Sequence, residues 1–250
     1  MVGSKDLGAV RLLSIAHGKA NAFDSEFFVA LDAALTAAEE EPVDAVVLTG
    51  TGSIFSAGVD LFRVLEGGTE YVEGFLPLLS DGLLRLFTFP KPVIAAVNGH
   101  AIAGGCVLAC ACDLRVGAAG NGKIGIPELN VGVPFPAAAL GVMRFAVGSQ
   151  RLPDLVFRGA TYPADEAITH RLLDRLVPPE ELVERAVAEA TRLVEVGSAV
   201  FRVTKQQLRE HAVEQILAQR KRTDARVLEL WQQPATRVSI RDYLDRTLRR

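Results

Sequence analysis

Two glycine-bearing segments about 45 residues apart constrain this chain more than any other feature. The first is Phe55-Ser56-Ala57-Gly58-Val59-Asp60-Leu61 and the second is Asn98-Gly99-His100-Ala101-Ile102-Ala103-Gly104-Gly105-Cys106. Each follows an apolar run that reads as a buried strand, Val43 to Leu48 in one case and Val93 to Val97 in the other. A glycine permits positive φ and lets a following N–H turn inward. The first amides of a helix have no intrahelical partner, and its dipole favours negative charge there. Two such amides aimed at one point can hold a carbonyl oxygen as it gains charge. Taken singly, Ala57-Gly58-Val59 reads better as an ordinary tight turn and Gly104-Gly105 better as a close helix–strand contact. Their joint occurrence is what directs attention to a site.

On either side of these segments and between them the chain alternates strand and helix signals. Residues 8–15 read as a strand and 17–22 as a loop. A helix follows, capped by Asp24 or Ser25, with Phe27, Leu31, Ala34, Leu35 and Ala38 on one face. A helix is expected over 60–67, fraying at Gly67-Gly68, and another over 75–88, ended by Pro90 and Pro92. Further helices are predicted over 104–112 and 137–147, with a strand at 114–117. Another opens at Pro163 behind the cap Thr161 and runs to about Leu173. One more begins at Pro178, with Leu182, Ala186, Ala190 and Leu193 at helical spacing. From Ser198 the pattern is helical, broken at Pro234. This tail has too few large apolar residues to fold alone and is expected to pack on the main domain or on a neighbouring subunit.

A chain of 250 residues can bury most of its apolar surface, as one large domain or one domain with an appendage. A net charge of −3 offers no electrostatic case for nucleic acid. The Arg and Lys residues between 202 and 250 are interleaved with Glu and Asp, which reads as a solvated helical face. Cys106, Cys110 and Cys112 share one apolar run with no matching His or Cys pair elsewhere. They read as buried thiols, and neither a metal site nor a disulfide framework is expected. Met1 to Asp6 lacks the apolar core of a signal peptide, and the apolar stretches are too interrupted for a membrane span. The expected location is the cytoplasm.

The chain resembles the crotonase (enoyl-CoA hydratase/isomerase) superfamily over nearly its whole length. The resemblance is carried, in order, by Asn21-Ala22, Val47-Leu48-Thr49-Gly50, the two glycine-bearing segments, and Pro92 to Gly99. It continues with Cys112-Asp113-Leu114-Arg115, Ile126-Pro127-Glu128 and Pro163-Ala164-Asp165-Glu166-Ala167. It implies an α/β fold, the crotonase-like spiral of β-β-α units, with two sheets ringed by helices and a C-terminal helical trimerisation region. Residues 1–194 would form the spiral core with an acyl-CoA site and 195–250 the helical region. It implies acyl-CoA substrates, no cofactor beyond the coenzyme A of the substrate itself, and a trimer or a hexamer made of two trimers. It also implies an oxyanion hole made by the N–H groups of Val59 and Gly104. Ala20 and Ala22, with Ala57, correspond to the wall that holds the adenine and pantetheine of coenzyme A, and Lys19 is a candidate partner for a CoA phosphate.

The discriminating positions are Val107 and Glu128. Hydratases of this family carry a glutamate at each, because adding water across a double bond needs a water deprotonated while a proton reaches carbon. Val107 offers only methyl groups. One carboxylate suits a proton shuttle, as in the Δ3,Δ2-enoyl-CoA isomerases that keep only the second glutamate. Val107 and Phe135 would then line an apolar pocket that excludes water and raises the basicity of Glu128. The plain alternative for Glu128 is a solvated or helix-start carboxylate. The leading expectation is thus an enzyme, a 3-enoyl to 2-enoyl isomerase of fatty acid metabolism. The alternatives are another crotonase-type reaction (hydration, retro-aldol cleavage or thioester hydrolysis) and a non-catalytic acyl-CoA-binding protein. His100 reads as a packed loop residue, His17 as exposed, and Asp60 as a turn-fixing carboxylate; Ser56 has no positioned base.

Overall fold

The computed structural model describes residues 1–18 and 20–248. The chain opens with an antiparallel hairpin, β1 (Val2–Leu7) and β2 (Val10–Ile15). The single strand expected over 8–15 is therefore only half of a pair. β1 carries Ser4, Lys5 and Asp6 on a largely exposed edge, so its pairing with β2 left no apolar pattern to read. α1 (Ser25–Glu40) is capped by Asp24, whose carboxylate accepts from Phe27 N, and it buries Phe27, Phe28, Leu31, Leu35 and Ala38.

Three β-β-α turns follow. The first is β3 (Ala45–Gly50), β4 (Ile54–Ser56) and α2 (Leu61–Phe87). The second is β5 (Val93–Val97), β6 (His100–Ile102) and α3 (Gly104–Ala111). The third is β7 (Leu114–Ala118), β8 (Lys123–Gly125) and α4 (Glu128–Val131). The two helices expected over 60–88 are one element, kinked at Gly68 (φ 63°, ψ −148°) where a fray was expected. The first strand of each turn joins one sheet, in order β1-β2-β3-β5-β7 and then β10 (Arg175–Val177). The second joins another, in order β4-β6-β8 and then β9 (Thr161–Pro163). β4, β6 and β8 are mutually parallel.

This alternation explains the apolar runs. Val46 and Leu48 of β3 and Val93, Ala95 and Val97 of β5 enter the main core. Ala45 and Val47, with Ile94 and Ala96, face a second core. A strand covered on both faces reads as a continuous hydrophobic stretch. The second core is roofed by α8 (Leu182–Val194), entered through a short 3-10 turn at Pro179–Glu181 and burying Leu182, Ala186 and Ala190.

The remaining helices are α5 (Ala137–Val147), α6 (Leu152–Arg158), α7 (Ala164–Thr169), α9 (Ser198–Trp231) and α10 (Pro234–Leu248). α7 stops at His170 rather than near Leu173, because Leu172 N and Leu173 N both turn back to Ala167 O. Thr161 is a strand residue paired with Gly125, not a cap. The tail packs on its own chain: α9 lies against α5 and α2, and α10 against α2 and α4.

The tail is not simply a solvated basic face. Lys205 and Arg209 of α9 are buried, and both meet Asp113 (2.8 Å to Oδ2 and 2.9 Å to Oδ1). Asp113 also accepts from Val93 N at 2.7 Å, so one carboxylate joins β5, the α3–β7 corner and α9. Cys106, Cys110 and Cys112 are buried free thiols. No helix among the described residues is long and apolar enough to cross a membrane.

Candidate active site

The site follows from the spiral. Val59 lies just past β4, Gly104 just past β6 and Glu128 just past β8. Three adjacent parallel strands therefore deliver one residue each to the same edge. Neighbouring strands lie about 4.8 Å apart, so a ligand of a few heavy atoms can touch all three. The carboxyl ends of parallel strands are also where open α/β sheets place their ligands.

The first amide is freed by a bridge. Val59 pairs in parallel with Phe23: Phe23 N donates to Gly58 O (2.7 Å) and Asp60 N to Phe23 O (2.8 Å). Both bonds lie on the Phe23 side, so Val59 N–H points the other way. Gly58 takes φ +83°, and a Cβ there would sit 2.8 Å from Gly104 N. The two turns therefore touch, and only glycine allows it. Ser56 is fully buried, its hydroxyl donating to Asn21 O and accepting from Gly58 N, so it is spent on holding this turn.

The second amide is aimed by a strained residue. Ala103, before α3, has φ 52° and ψ −128°, a conformation that costs a non-glycine residue on the order of 1–3 kcal/mol. Ala103 N donates to Gly125 O at 2.8 Å, which ties the turn to β8. Among the described residues, neither Val59 N nor Gly104 N donates a hydrogen bond within the fold. Gly105 has the plainer role: a Cβ there would lie 2.2 Å from Ser56 O, so it serves close helix–strand packing.

Glu128 opens α4, a single turn that Gly132 ends in the left-handed region. The residue as a whole is only half-buried, yet its Oε2 is sealed from solvent and has no hydrogen-bond partner. Burial pushes the carboxyl up to about 8, opposed only by its own backbone N–H. Asn130 donates to Gly159 O at 2.7 Å and so fastens α4 to the end of α6, while Leu129 faces solvent.

Val59, Gly104 and Glu128 line one cavity of about 80 Å³, together with the expected Ala57, Val107 and Phe135. Val107 lies three residues into α3 from Gly104, on the same helix face, and is buried. Ala20 and Ala22 do not line this cavity. Ala20 O accepts from Ala57 N at 3.0 Å, so that loop backs the first turn instead. Asn21 is the fastening, its side chain donating to Ile54 O at 2.8 Å from a left-handed backbone (φ 49°). Lys19 lies outside the described residues.

His17 is not exposed as expected: its Nε2 meets Asp24 Oδ2 at 2.7 Å and its side chain is 19% exposed. His100 accepts from Lys123 N through Nδ1 and stays away from the cavity. Asp60 caps α2, accepting from Phe62 N and Arg63 N. No cluster of three or more His, Cys, Asp or Glu residues that could hold a metal occurs among the described residues.

The sequence reading missed the contribution of the tail. Trp231, at the end of α9, and Tyr243, on α10, both line the cavity, as do Leu76, Leu79 and Leu83 of α2. The leucine spacing was a readable signal of one helix face. The aromatic residues gave none, because α9 and α10 reach the site only by folding back.

The arrangement can hold an oxygen between two free amides and present one desolvated carboxyl to carbon atoms beside it. The family model described as enoyl-CoA hydratase/isomerase matches residues 8–248. A putative enoyl-CoA hydratase of Thermus thermophilus is 41% identical over 197 residues, 75% of each chain. The human mitochondrial Δ3-Δ2-enoyl-CoA isomerase superposes with a TM-score of 0.93 over 99% of this chain and 98% of that one, at 24% identity, which speaks for the fold alone. A Mycobacterium tuberculosis protein described as an enoyl-CoA isomerase in one structure (TM-score 0.80, covering 87% of this chain and 94% of that one) and as a probable enoyl-CoA hydratase in another (TM-score 0.83, covering 90% and 95%) is 30% identical in both. With its three-turn spiral and its two-amide edge, the chain belongs to the enoyl-CoA hydratase/isomerase family.

Proposed function

We propose that this enzyme moves the double bond of an enoyl-CoA thioester from position 3 to position 2. The observation that carries the reading is the solitary carboxylate. Glu128 is the one carboxylate among the residues lining the cavity, it is desolvated, and Val107 presents methyl groups to the same space. Glu128 takes the proton from C2. The electron pair moves toward the thioester oxygen, held by the N–H groups of Val59 and Gly104, each worth ~3–4 kcal/mol of barrier lowering. The same carboxyl returns the proton to C4 as the π system shifts, so substrate and product differ only in the position of the double bond. No cofactor enters the scheme.

A carboxyl at about 8 is a stronger base than a solvated one, and it acts only when ionised. Activity of the free enzyme therefore rises with pH up to about 8. A second reading, hydration of a 2-enoyl-CoA, is favoured by the name of the Thermus thermophilus relative. Ala57, whose N–H donates to Ala20 O, is the place where the thioester arm would enter, and assembly into trimers is part of the same reading.

The test is direct. Purified protein is offered a 3-enoyl-CoA and, separately, a 2-enoyl-CoA in water. Formation of the conjugated thioester at a rate well above hydration is expected. Hydration faster than isomerisation would overturn the proposal.

A further inference from the structure

No neighbouring side chain orients the Glu128 carboxyl. Its Oε2 has no partner, and what favours its charge is its own backbone N–H. The aim of the carboxyl therefore follows from the backbone that carries it. That backbone is α4, one helical turn, too short to hold its shape alone. Two neighbours seat it. On one side Asn130 Nδ2 donates to Gly159 O at 2.7 Å, across 29 residues of chain. Gly159 is buried and ends α6 in the left-handed region (φ +55°), and a Cβ there would lie 2.8 Å from Asn130 Nδ2. On the other side Gly132 ends the turn at φ +87°, and a Cβ there would lie 2.8 Å from Ser239 Cβ of α10. Among the described residues, Asn130 is the one residue of α4 whose side chain donates a hydrogen bond to another element. It does not line the cavity.

Resting on the reading of Glu128 as the proton-transferring base, we propose that Asn130 is a positioning residue for it. By tying α4 to Gly159, Asn130 holds the Glu128 carboxyl within reach of both C2 and C4 of a bound thioester. A single carboxyl that serves two carbons has little freedom in where its backbone sits. A displacement of 1 Å at a reacting group costs on the order of 10²-fold in rate. Binding of the thioester draws on the rest of the cavity wall, which Asn130 does not touch. Its loss therefore falls on turnover and spares affinity. The same bond keeps Oε2 sealed, because a loosened turn lets water reach the carboxyl.

The experiment compares the whole chain with its Asn130→Ala variant, each shown to be folded by chemical denaturation. For Asn130→Ala, kcat is expected to fall about tenfold or more, while calorimetric affinity for a saturated acyl-CoA stays within about twofold. The rise of kcat/KM with pH moves to lower pH, as the carboxyl regains water. Gly159→Ala pushes Asn130 off the carbonyl from the other side and lowers kcat likewise. The double variant is no worse than the worse single one, because both break the same bond. Leu129→Ala, at the exposed residue between Glu128 and Asn130, keeps kcat within about twofold. Near-normal turnover of Asn130→Ala overturns the proposal. So does an equal loss of kcat and affinity with an unmoved pH profile, or an equal loss in Leu129→Ala. If Asn130→Ala does not fold, Gly159→Ala decides by the same readings. Wild-type protein that hydrates a 2-enoyl-CoA but does not isomerise removes the isomerase reading, and the same comparison made on hydration decides the role of Asn130. Absence of turnover of either thioester by the wild type overturns both.

Discussion

Among the described residues, two of the buried ionisable sites contain a group held near pH 8. Around Asp113, one carboxylate meets Lys205, Arg209 and Val93 N, and Arg209 reaches on to Phe87 O, Ala111 O and Cys112 O while its guanidinium lies over the Phe87 ring at 4.2 Å. Burial pulls Lys205 down to about 8 even beside Asp113. At the cavity, Glu128 is raised to about 8 by the same desolvation, but Oε2 has no partner. The shifted value is therefore common to both and distinguishes nothing. Hydrogen-bond satisfaction does. The Asp113 cluster spends its capacity on joining α9 to the core, whereas Glu128 keeps capacity free for a ligand, at a cost to the folded state.

The sharpest way to break this contrast is to neutralise Glu128. Glu128→Gln is expected to lower isomerisation by about 10²–10⁴-fold while leaving thioester affinity nearly intact. A variant with near-normal turnover would mean that the base is elsewhere. The same variant sharpens the contrast in stability. The folded value near 8 lies above the unfolded 4.5, so the native state holds a proton that the unfolded chain releases. Wild-type stability thus falls as pH rises between these two values, by up to about 1.4 kcal/mol per pH unit. Gln escapes that loss. Its advantage in urea unfolding is expected to be small at pH 4 and largest at pH 9.

Asp113→Ala should behave in the opposite way. Removing it leaves Lys205 and Arg209 buried without a counter-charge, and a loss of about 3–5 kcal/mol is expected. Chemical denaturation at pH 7 measures it, with residual activity tracking the folded fraction. A loss below 1 kcal/mol would mean that water reaches the cluster.

The smallest effect is expected from Val107→Glu. It places a second carboxylate one helical turn from Gly104, and slow hydration of a 2-enoyl-CoA should appear, with a stability cost of about 1–3 kcal/mol for the buried acid. A folded variant with no hydration would remove the account of why one carboxylate avoids water chemistry.

Much of this was legible in the chain. β5 and α5 span the predicted residues, because an unbroken apolar strand and a helix set between turns signal themselves locally. The short elements were harder. β8 and β9 have three residues each and α4 has four, too few for any period to show. The long-range polar contacts were harder still. Nothing around Lys205 in sequence says that it crosses 92 residues to Asp113. Nor does anything local to Asn130, two residues after Glu128, say that it fastens α4 to Gly159.

By itself the sequence determined the strand–helix alternation, the two glycine turns and the absence of a carboxylate at Val107, since each depends on residue type and near neighbours. Tertiary structure alone decided that β4, β6 and β8 lie side by side, so that Val59, Gly104 and Glu128 meet at one edge. It decided as well that the tail folds back to wall the cavity with Trp231 and Tyr243. Both outcomes rest on contacts between distant residues, where burial and strand pairing act without regard to separation along the chain.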